Sequence, residues 1–257
     1  MEYLIIASMA AFASLLTFFS GFGLGTILTP AFMLFFPIEV AIALTGIVHL
    51  LNNLFKMGLV GLKANWQVVL RFGAPAVVGA AIGAYILLQF SEGQPIYSYE
   101  LLGRIMHVKS VNLVVALLMA FFAVFELVPA LKRMQFDKNK LIFGGLISGF
   151  FGGLSGHQGA LRSAFLIRYG LSKEVFIASG IIIASFIDIT RIGMYFAKMK
   201  EINIMENLPI LLTAILSAFL GAYYGRKLLK KVTLGFVQWT VAIMILMLAA
   251  LLAMGII

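Results

Sequence analysis

Gly152-Gly153-Leu154-Ser155-Gly156-His157-Gln158-Gly159 is one of two glycine-rich stretches that interrupt long apolar runs of this chain. The other is Ser20-Gly21-Phe22-Gly23-Leu24-Gly25-Thr26. Glycine weakens a helix by about 1 kcal/mol per residue, so both clusters predict a break inside an otherwise helical run. A broken helix is tolerated in hydrocarbon only where its free backbone groups face protein or a water-filled cavity. Two breaks at matching places therefore predict a binding site near the membrane midplane.

The composition indicates a single all-α polytopic membrane domain, residues 1–257. Of the 257 residues, 62% are hydrophobic and 11% are charged, whereas about a quarter are charged in soluble domains. The net charge of +9 lies in short loops, which favours positive-inside topology and contact with membrane lipids over nucleic acid. The absence of cysteine excludes disulfides and thiolate metal sites. No metal, cofactor or enzyme motif is predicted.

The two halves of the chain are predicted to be repeats. A shift of 135 positions aligns Asn53 with Asp188, Lys56 with Arg191 and Gly58 with Gly193. This ordered series indicates a duplication. We expect a first repeat at 1–131, a connecting loop at 132–139 and a second repeat at 140–257.

The distribution of basic residues predicts that the broken runs are re-entrant hairpins. With each broken run entering and leaving on one side, 14 of the 19 basic residues share one side. The other side keeps the remaining five, Arg104, Lys109, Arg191, Lys198 and Lys200. Each repeat is then a hairpin plus three transmembrane helices, so the repeats are inverted and both termini are extracytoplasmic. Pairs of short full spans are the alternative.

Each hairpin tip offers helix N–H groups that suit an anion, because the returning half-helices are expected to start around Leu24 and Gln158. Close helix packing is the alternative role for the glycines. Arg162 adds a planar fork for oxyanions, with snorkelling toward the surface as its alternative. The tip residues assigned to substrate are Gly21, Gly23, Gly25, Thr26, Ser155, Gly156, His157, Gln158 and Gly159.

A polar stripe marks one face of the second apolar segment, and it consists of His49, Asn52, Asn53 and Lys56. Its counterpart on the sixth segment is Ser185, Asp188 and Arg191. Polar side chains at these spacings face the interior of a bundle. We assign Asn52 and Asn53 to substrate binding and His49, Asp188 and Arg191 to coupling. Simple pairing of Asp188 with Arg191, and snorkelling of Lys56 and Arg191, are the structural alternatives.

At these residues the chain resembles the sulfite exporter TauE/SafE family of membrane anion permeases. The resemblance rests on Gly21-Phe22-Gly23-Leu24-Gly25 with Pro30, and on Gly149-Phe150-Phe151-Gly152-Gly153-Leu154-Ser155-Gly156. It implies secondary transport, often export, of sulfur-containing anions and small carboxylates. The second half has no proline equivalent to Pro30, which leaves the substrate open.

The expected function is alternating-access transport of sulfite, an organosulfonate or a related small anion across the inner membrane. A cation- or proton-coupled carrier centred on Asp188 and a non-transporting membrane scaffold are the alternatives. The sequence leaves the direction of transport and homo-oligomerisation open.

Overall fold

The computed structural model describes residues 1–17, 23–60, 63–91, 93–101, 103–128, 135–199, 204–228 and 234–257. These residues form ten α-helices: α1 (Glu2–Thr17), α2 (Leu24–Met33), α3 (Ile38–Val60), α4 (Trp66–Ser91), α5 (Ser110–Leu127), α6 (Leu141–Ser155), α7 (Gly159–Leu166), α8 (Lys173–Met199), α9 (Ile204–Leu228) and α10 (Leu234–Ala253). Short 3₁₀ turns, Lys138–Lys140 and Ile167–Tyr169, precede α6 and follow α7. The prediction of an all-α architecture is confirmed.

A β-hairpin is the exception, and the sequence analysis missed it. Strands β1 (Pro95–Leu101) and β2 (Arg104–Lys109) pair antiparallel in the link between α4 and α5. Gly103 in the turn has φ +74°, a conformation that glycine adopts without steric cost. The Tyr99 hydroxyl donates to the Met254 carbonyl at 2.8 Å, so the hairpin contacts the end of the chain.

Four helices are long and apolar enough to cross a membrane, namely α3, α4, α8 and α9. The helices that follow the two tips are far shorter. The ten residues of α2 and the eight of α7 rise about 15 and 12 Å, half or less of a hydrocarbon core of about 30 Å. Both apolar runs are therefore broken, and each returning piece is a half-span.

The tightest helix contacts join α4 to α6 and α1 to α9. A methyl group on Gly149 of α6 would overlap the backbone carbonyl of Ala76 on α4, and Gly145 and Gly153 likewise meet α4 backbone. On the other pair, a methyl group on Gly221 would overlap the carbonyl of Ala11. Small residues thus let the backbones touch, which is how membrane helices gain packing energy without a hydrophobic effect between them.

The strongest helix pairings are kept when α1–α5 are exchanged for α6–α10. Under that exchange the contact of α1 with α9 becomes that of α6 with α4, and α3 with α9 becomes α8 with α4. Helices α3 and α8 contact each other, as do α5 and α10. This pattern agrees with a duplication; the repeat boundaries and the inversion of the halves stay predictions.

Candidate functional site

The two tips contact each other. The first returning helix, α2, begins at Leu24, and the second, α7, begins at Gly159. Between them, a methyl group built on Gly25 would lie 3.2 Å from the carbonyl oxygen of Gly156. The positive N-terminal end of α2 thus meets the carbonyl end of α6, a favourable arrangement of helix dipoles. Gly21 lies outside the described residues.

The second tip is fixed by hydrogen bonds to its backbone. Gly156, with φ +81°, ends α6 in the left-handed conformation, and its N–H donates to the Gly152 carbonyl at 3.0 Å. The Ser148 hydroxyl donates to the Gln158 carbonyl at 3.1 Å. The Tyr195 hydroxyl donates to the Gly153 carbonyl at 2.6 Å. The bonds to Gly152 and Gly153 satisfy carbonyls in the last turn of α6, and the bond from Ser148 attaches the start of α7 to α6, so the turn has a defined structure.

Asp188 is the hub of a buried polar network between α3 and α8. Its Oδ2 lies 2.6 Å from His49 Nδ1, and its Oδ1 accepts from Gln158 Nε2 at 3.3 Å. Arg191 Nη2 lies 2.9 Å from the same Oδ1. Because a carboxylate only accepts, Nδ1 of His49 carries the proton. Asp188 therefore has three donors for two oxygens.

Gln158 connects this hub to Arg162. Its Oε1 accepts from Arg162 Nη1 at 3.2 Å while its Nε2 donates to Asp188. Asn53 Nδ2 lies 3.5 Å from His49 Nδ1 on the opposite side of the hub. The second tip is thus linked to the polar faces of both long helices.

Lys56 and Asn52 extend the polar face of α3 toward α1 and α9. With the Asn52 amide turned so that both of its ends are satisfied, its oxygen lies 3.2 Å from Lys56 Nζ and its nitrogen 3.2 Å from the Ala218 carbonyl. The Ser14 hydroxyl of α1 also lies 3.0 Å from this amide. Lys56 is 6% exposed, so its ammonium group does not reach the surface.

Arg191 is fully buried and has spare donors. Its Nη2 forms the ion pair with Asp188, but without hydrogen-bond geometry, and Nε and Nη1 have no partner among the described residues. The hydroxyls of Thr29 and Thr45, both fully buried, also have none. An unsatisfied buried donor costs about 1–3 kcal/mol. Clustering of several such groups is therefore costly to the fold and needs an explanation.

A cavity of about 90 Å³ lies beside this network. Its polar lining consists of Thr17, His49, Asn53, Lys56, Arg162 and Ser163. The other lining residues include Gly23 and Leu24 of the first tip and Phe176 and Ile177 in the first turns of α8. By the same measure one water needs about 10–15 Å³, so the cavity holds several waters or a small anion.

The charge around the cavity is positive. Lys56 and Arg162 line it, and none of its described lining residues is acidic, while Arg191 and Asp188 pair with each other beside it. Two positive charges are therefore in excess when His49 is neutral. At such depth these charges interact far more strongly with an ion than they would in water.

Some of the predicted site residues lie elsewhere. His157 Nδ1 lies 3.0 Å from the Ser155 carbonyl, and its ring stacks on Phe122 of α5, away from Asp188. The Ser155 hydroxyl donates back to the Phe151 carbonyl at 3.1 Å. Thr26 is buried but does not line the cavity. Gly159 starts α7.

Snorkelling does not describe Arg191 and Lys56, which are 0% and 6% exposed, whereas Arg162 is half-buried and bonds to Gln158. The sidedness count therefore changes. If Lys56 and Arg162 are left out of the side with 14 basic residues, and Arg191 out of the side with five, the count is 12 against four. The bias is therefore retained.

Thr29 and Thr45 were missed by sequence reasoning. Thr45 extends the stripe of α3 by one turn, since it precedes His49 by four residues. That spacing was the available signal.

Comparison with known families decides the assignment. Residues 6–252 match the family model described as sulfite exporter TauE/SafE. The chain belongs to the TauE/SafE family. No curated protein matches the chain. This TauE/SafE protein is a multi-pass membrane protein of a transporter family, and its outward-facing side chains include large exposed hydrophobics such as Leu117, Leu216 and Met247.

Proposed function

We propose that this TauE/SafE protein is a secondary carrier of small anions, with sulfite or an organosulfonate as substrate. The observation that carries the proposal is the positive lining of the cavity, where two cationic side chains, Lys56 and Arg162, meet and no described lining residue is acidic. Burying two positive charges beside one small cavity is costly, because like charges repel each other. An anion in the cavity removes that cost, which provides the free energy for binding.

Each group has a distinct role in the proposal. Arg162 presents a planar guanidinium to a pair of oxyanion oxygens, and Lys56 supplies a second charge. Asn53 donates from its amide. The uncapped N-terminus of α2, whose N-cap residue Gly23 makes no side-chain bond, points partial positive charge at the same space.

The mechanism we propose is alternating access in an inner membrane. Residues of the first tip and of the first turns of α8 both line the cavity, and the count of basic residues assigns the start of α8 to the cytoplasm. Both termini are then extracytoplasmic, and the two halves are inverted repeats. A cysteine-free chain makes this testable, because single introduced cysteines at positions 2 and 257 report their own side.

The cation-carrier alternative is less favoured by the contacts of Asp188. Both of its oxygens already lie within reach of donors on His49, Gln158 and Arg191. A cation would have to displace them. The scaffold alternative is separated from both carriers by saturable flux in the purified protein.

The test of the proposed function is uptake of sulfite and sulfoacetate into proteoliposomes of purified protein. Arg162→Gln is expected to lower saturable flux by about 10- to 100-fold, the loss that follows from removing one charged hydrogen-bonding partner. Arg168→Gln is the matched control, because Arg168 is exposed and bonds only to Gln135 among the described residues. If flux survives in Arg162→Gln, the anion binds at another site in the protein. If neither anion shows flux, the proposed function is wrong.

Proton coupling is a second part of the proposal, and it is centred on the 2.6 Å contact between His49 and Asp188. Arg191 and Lys56 are the charges nearest this pair on α8 and α3. We expect the flux to depend on a pH gradient and the dependence to disappear in His49→Ala or Asp188→Ala. His157→Ala is expected to keep it, because His157 lies outside the network. A gradient dependence that is unchanged in all three variants would remove proton coupling.

A further inference from the structure

Three buried polar side chains next to the tip contact have no hydrogen-bond partner within the described part of the chain, and none of them lines the cavity. They are Thr29 of α2, Thr45 of α3 and Arg191 of α8. All are 0% exposed. They come from three different helices, so their convergence is a feature of the tertiary fold.

Bare backbone surrounds the Arg191 guanidinium. A methyl group on Gly46 would lie 3.1 Å from Nε, and one on Gly156 would lie 2.8 Å from Nη1. The donors that lack partners are these same two nitrogens. Glycine at both positions therefore keeps side chains away from the unused edge of the guanidinium.

Both threonines border the same place. Thr29 Oγ1 lies 3.6 Å from the methyl position of Gly156 and 3.8 Å from that of Gly25. The Thr45 methyl lies 3.6 Å from the methyl position of Gly25. Thr29 thus lies beside both glycines of the tip contact, Thr45 lies beside Gly25, and Gly46, which follows Thr45 in the chain, lies against Arg191.

The unused hydroxyls are unusual within this molecule. Thr190, Ser185 and Thr213 also lie inside helices, and each donates to the carbonyl four residues earlier, at 2.8, 2.9 and 2.8 Å. This local bond is the common way for a membrane helix to satisfy a hydroxyl. Thr29 and Thr45 do not make it, so their hydroxyls stay available to a ligand.

The chemistry of this cluster is that of an oxyanion site. Arg191 offers two N–H groups along one edge of a planar cation, and two hydroxyls add donors at different angles. The donors of Arg191 are not used up by Asp188, because the oxygens of that carboxylate already accept from His49 and Gln158.

We infer that Arg191, Thr29 and Thr45 form a second anion subsite, closed in this structure behind the contact of Gly25 with Gly156, which receives the anion after the cavity. The inference rests on the proposed anion transport and adds an internal step to it. Leu24 lines the cavity and Gly25 abuts the second tip, so separation of the tips opens a path between the two sites. Binding to the cavity then precedes, and does not require, binding to the subsite.

The test compares hydroxyl removal with volume removal. Thr29→Val/Thr45→Val keeps the volume and loses both hydroxyls, whereas Thr29→Ser/Thr45→Ser keeps the hydroxyls and loses both methyl groups. We expect the valine variant to bind sulfite in nanodiscs with affinity within about twofold of wild type, yet to lose about tenfold or more of sulfite flux in proteoliposomes. The serine variant is expected to restore most of the flux.

Thr190→Val is the matched control, because its hydroxyl is used within α8; its flux is expected to equal that of wild type. Loss of flux in the serine variant with normal flux in the valine variant would show a packing role and overturn the subsite. Equal flux in all variants would overturn the subsite and leave the carrier intact. Absence of sulfite binding and flux in wild type would overturn the proposed function and the subsite with it.

Arg191→Lys, which keeps the charge and loses the planar fork of the guanidinium, is expected to behave like the valine variant.

Discussion

The glycines of α6 and of the tips differ in what lies opposite them. Gly145, Gly149 and Gly153 face the backbone of α4, so close that a methyl group has no room. Gly156 faces the guanidinium of Arg191, and Gly25 faces the second tip. The same residue type therefore serves close packing in one region and access to polar groups in the other. Gly153 and Gly156 are three positions apart, so one motif contains both roles.

The largest effect is expected from a packing glycine. Gly149→Ala pushes a methyl group into the Ala76 carbonyl, and overpacking of this kind costs about 3 kcal/mol. We expect a lower thermal midpoint in detergent and less monodisperse protein on size exclusion. A midpoint equal to that of wild type would mean that the two helices separate without cost.

Gly156→Ala is expected to separate function from folding. A side chain at φ +81° costs about 1–2 kcal/mol, and the methyl group presses on Arg191. The protein should purify folded but lose about tenfold or more of its anion flux. Gly170→Ala is the matched control, since Gly170 has φ +73° but open space around it. Equal flux losses in both variants would assign the effect to backbone strain.

Gly25→Ala is expected to have a smaller effect. Its methyl group would lie 3.2 Å from the Gly156 carbonyl, and a shift of a few tenths of an ångström accommodates it. We expect flux to fall about threefold with unchanged stability. Gly23→Ala, whose methyl group meets only ordinary contacts, provides the comparison in the same assay; an equal loss there would contradict the role of the tip contact.

Gly193→Ala should have the smallest effect and the opposite sign. Gly193 is exposed within α8 and has no atom near its methyl position. Alanine favours a helix over glycine by up to about 1 kcal/mol. We expect a slightly raised thermal midpoint and unchanged flux. A lowered midpoint or a reduced flux would show that this face of α8 has a partner.

Sequence reasoning located the breaks and the facing polar stripes because both are local patterns. Clustered glycines end a helix wherever they lie, and His49 with Asn53 shares a face by spacing alone. The roles of individual glycines were not predictable in this way. Gly149 is a packing residue because α4, distant in sequence, lies against it.

The unused threonine hydroxyls were beyond sequence reasoning for a related reason. A threonine in a helix normally satisfies itself, and only the tertiary structure reveals that Thr29 and Thr45 do not. The β-hairpin between α4 and α5 was not predicted, because the arguments from glycine clusters and polar stripes concern helices alone. The alternation in Tyr97, Ser98, Tyr99 and Glu100, followed by a turn at Gly103, was the signal for strands.

The pairing of α1 with α9 also determines when the fold can be completed during synthesis. The first helix emerges from the ribosome early, yet its glycine-bearing partner begins at Ile204. At about 5–20 residues per second, α1 waits in the bilayer for ten seconds or more until α9 is inserted. By contrast, α4 meets α6 after a much shorter interval. Nascent chains stalled before α9 should therefore hold a packed pair of α4 and α6 and an unpartnered α1, which makes the synthesis of α9 decisive for the fate of α1.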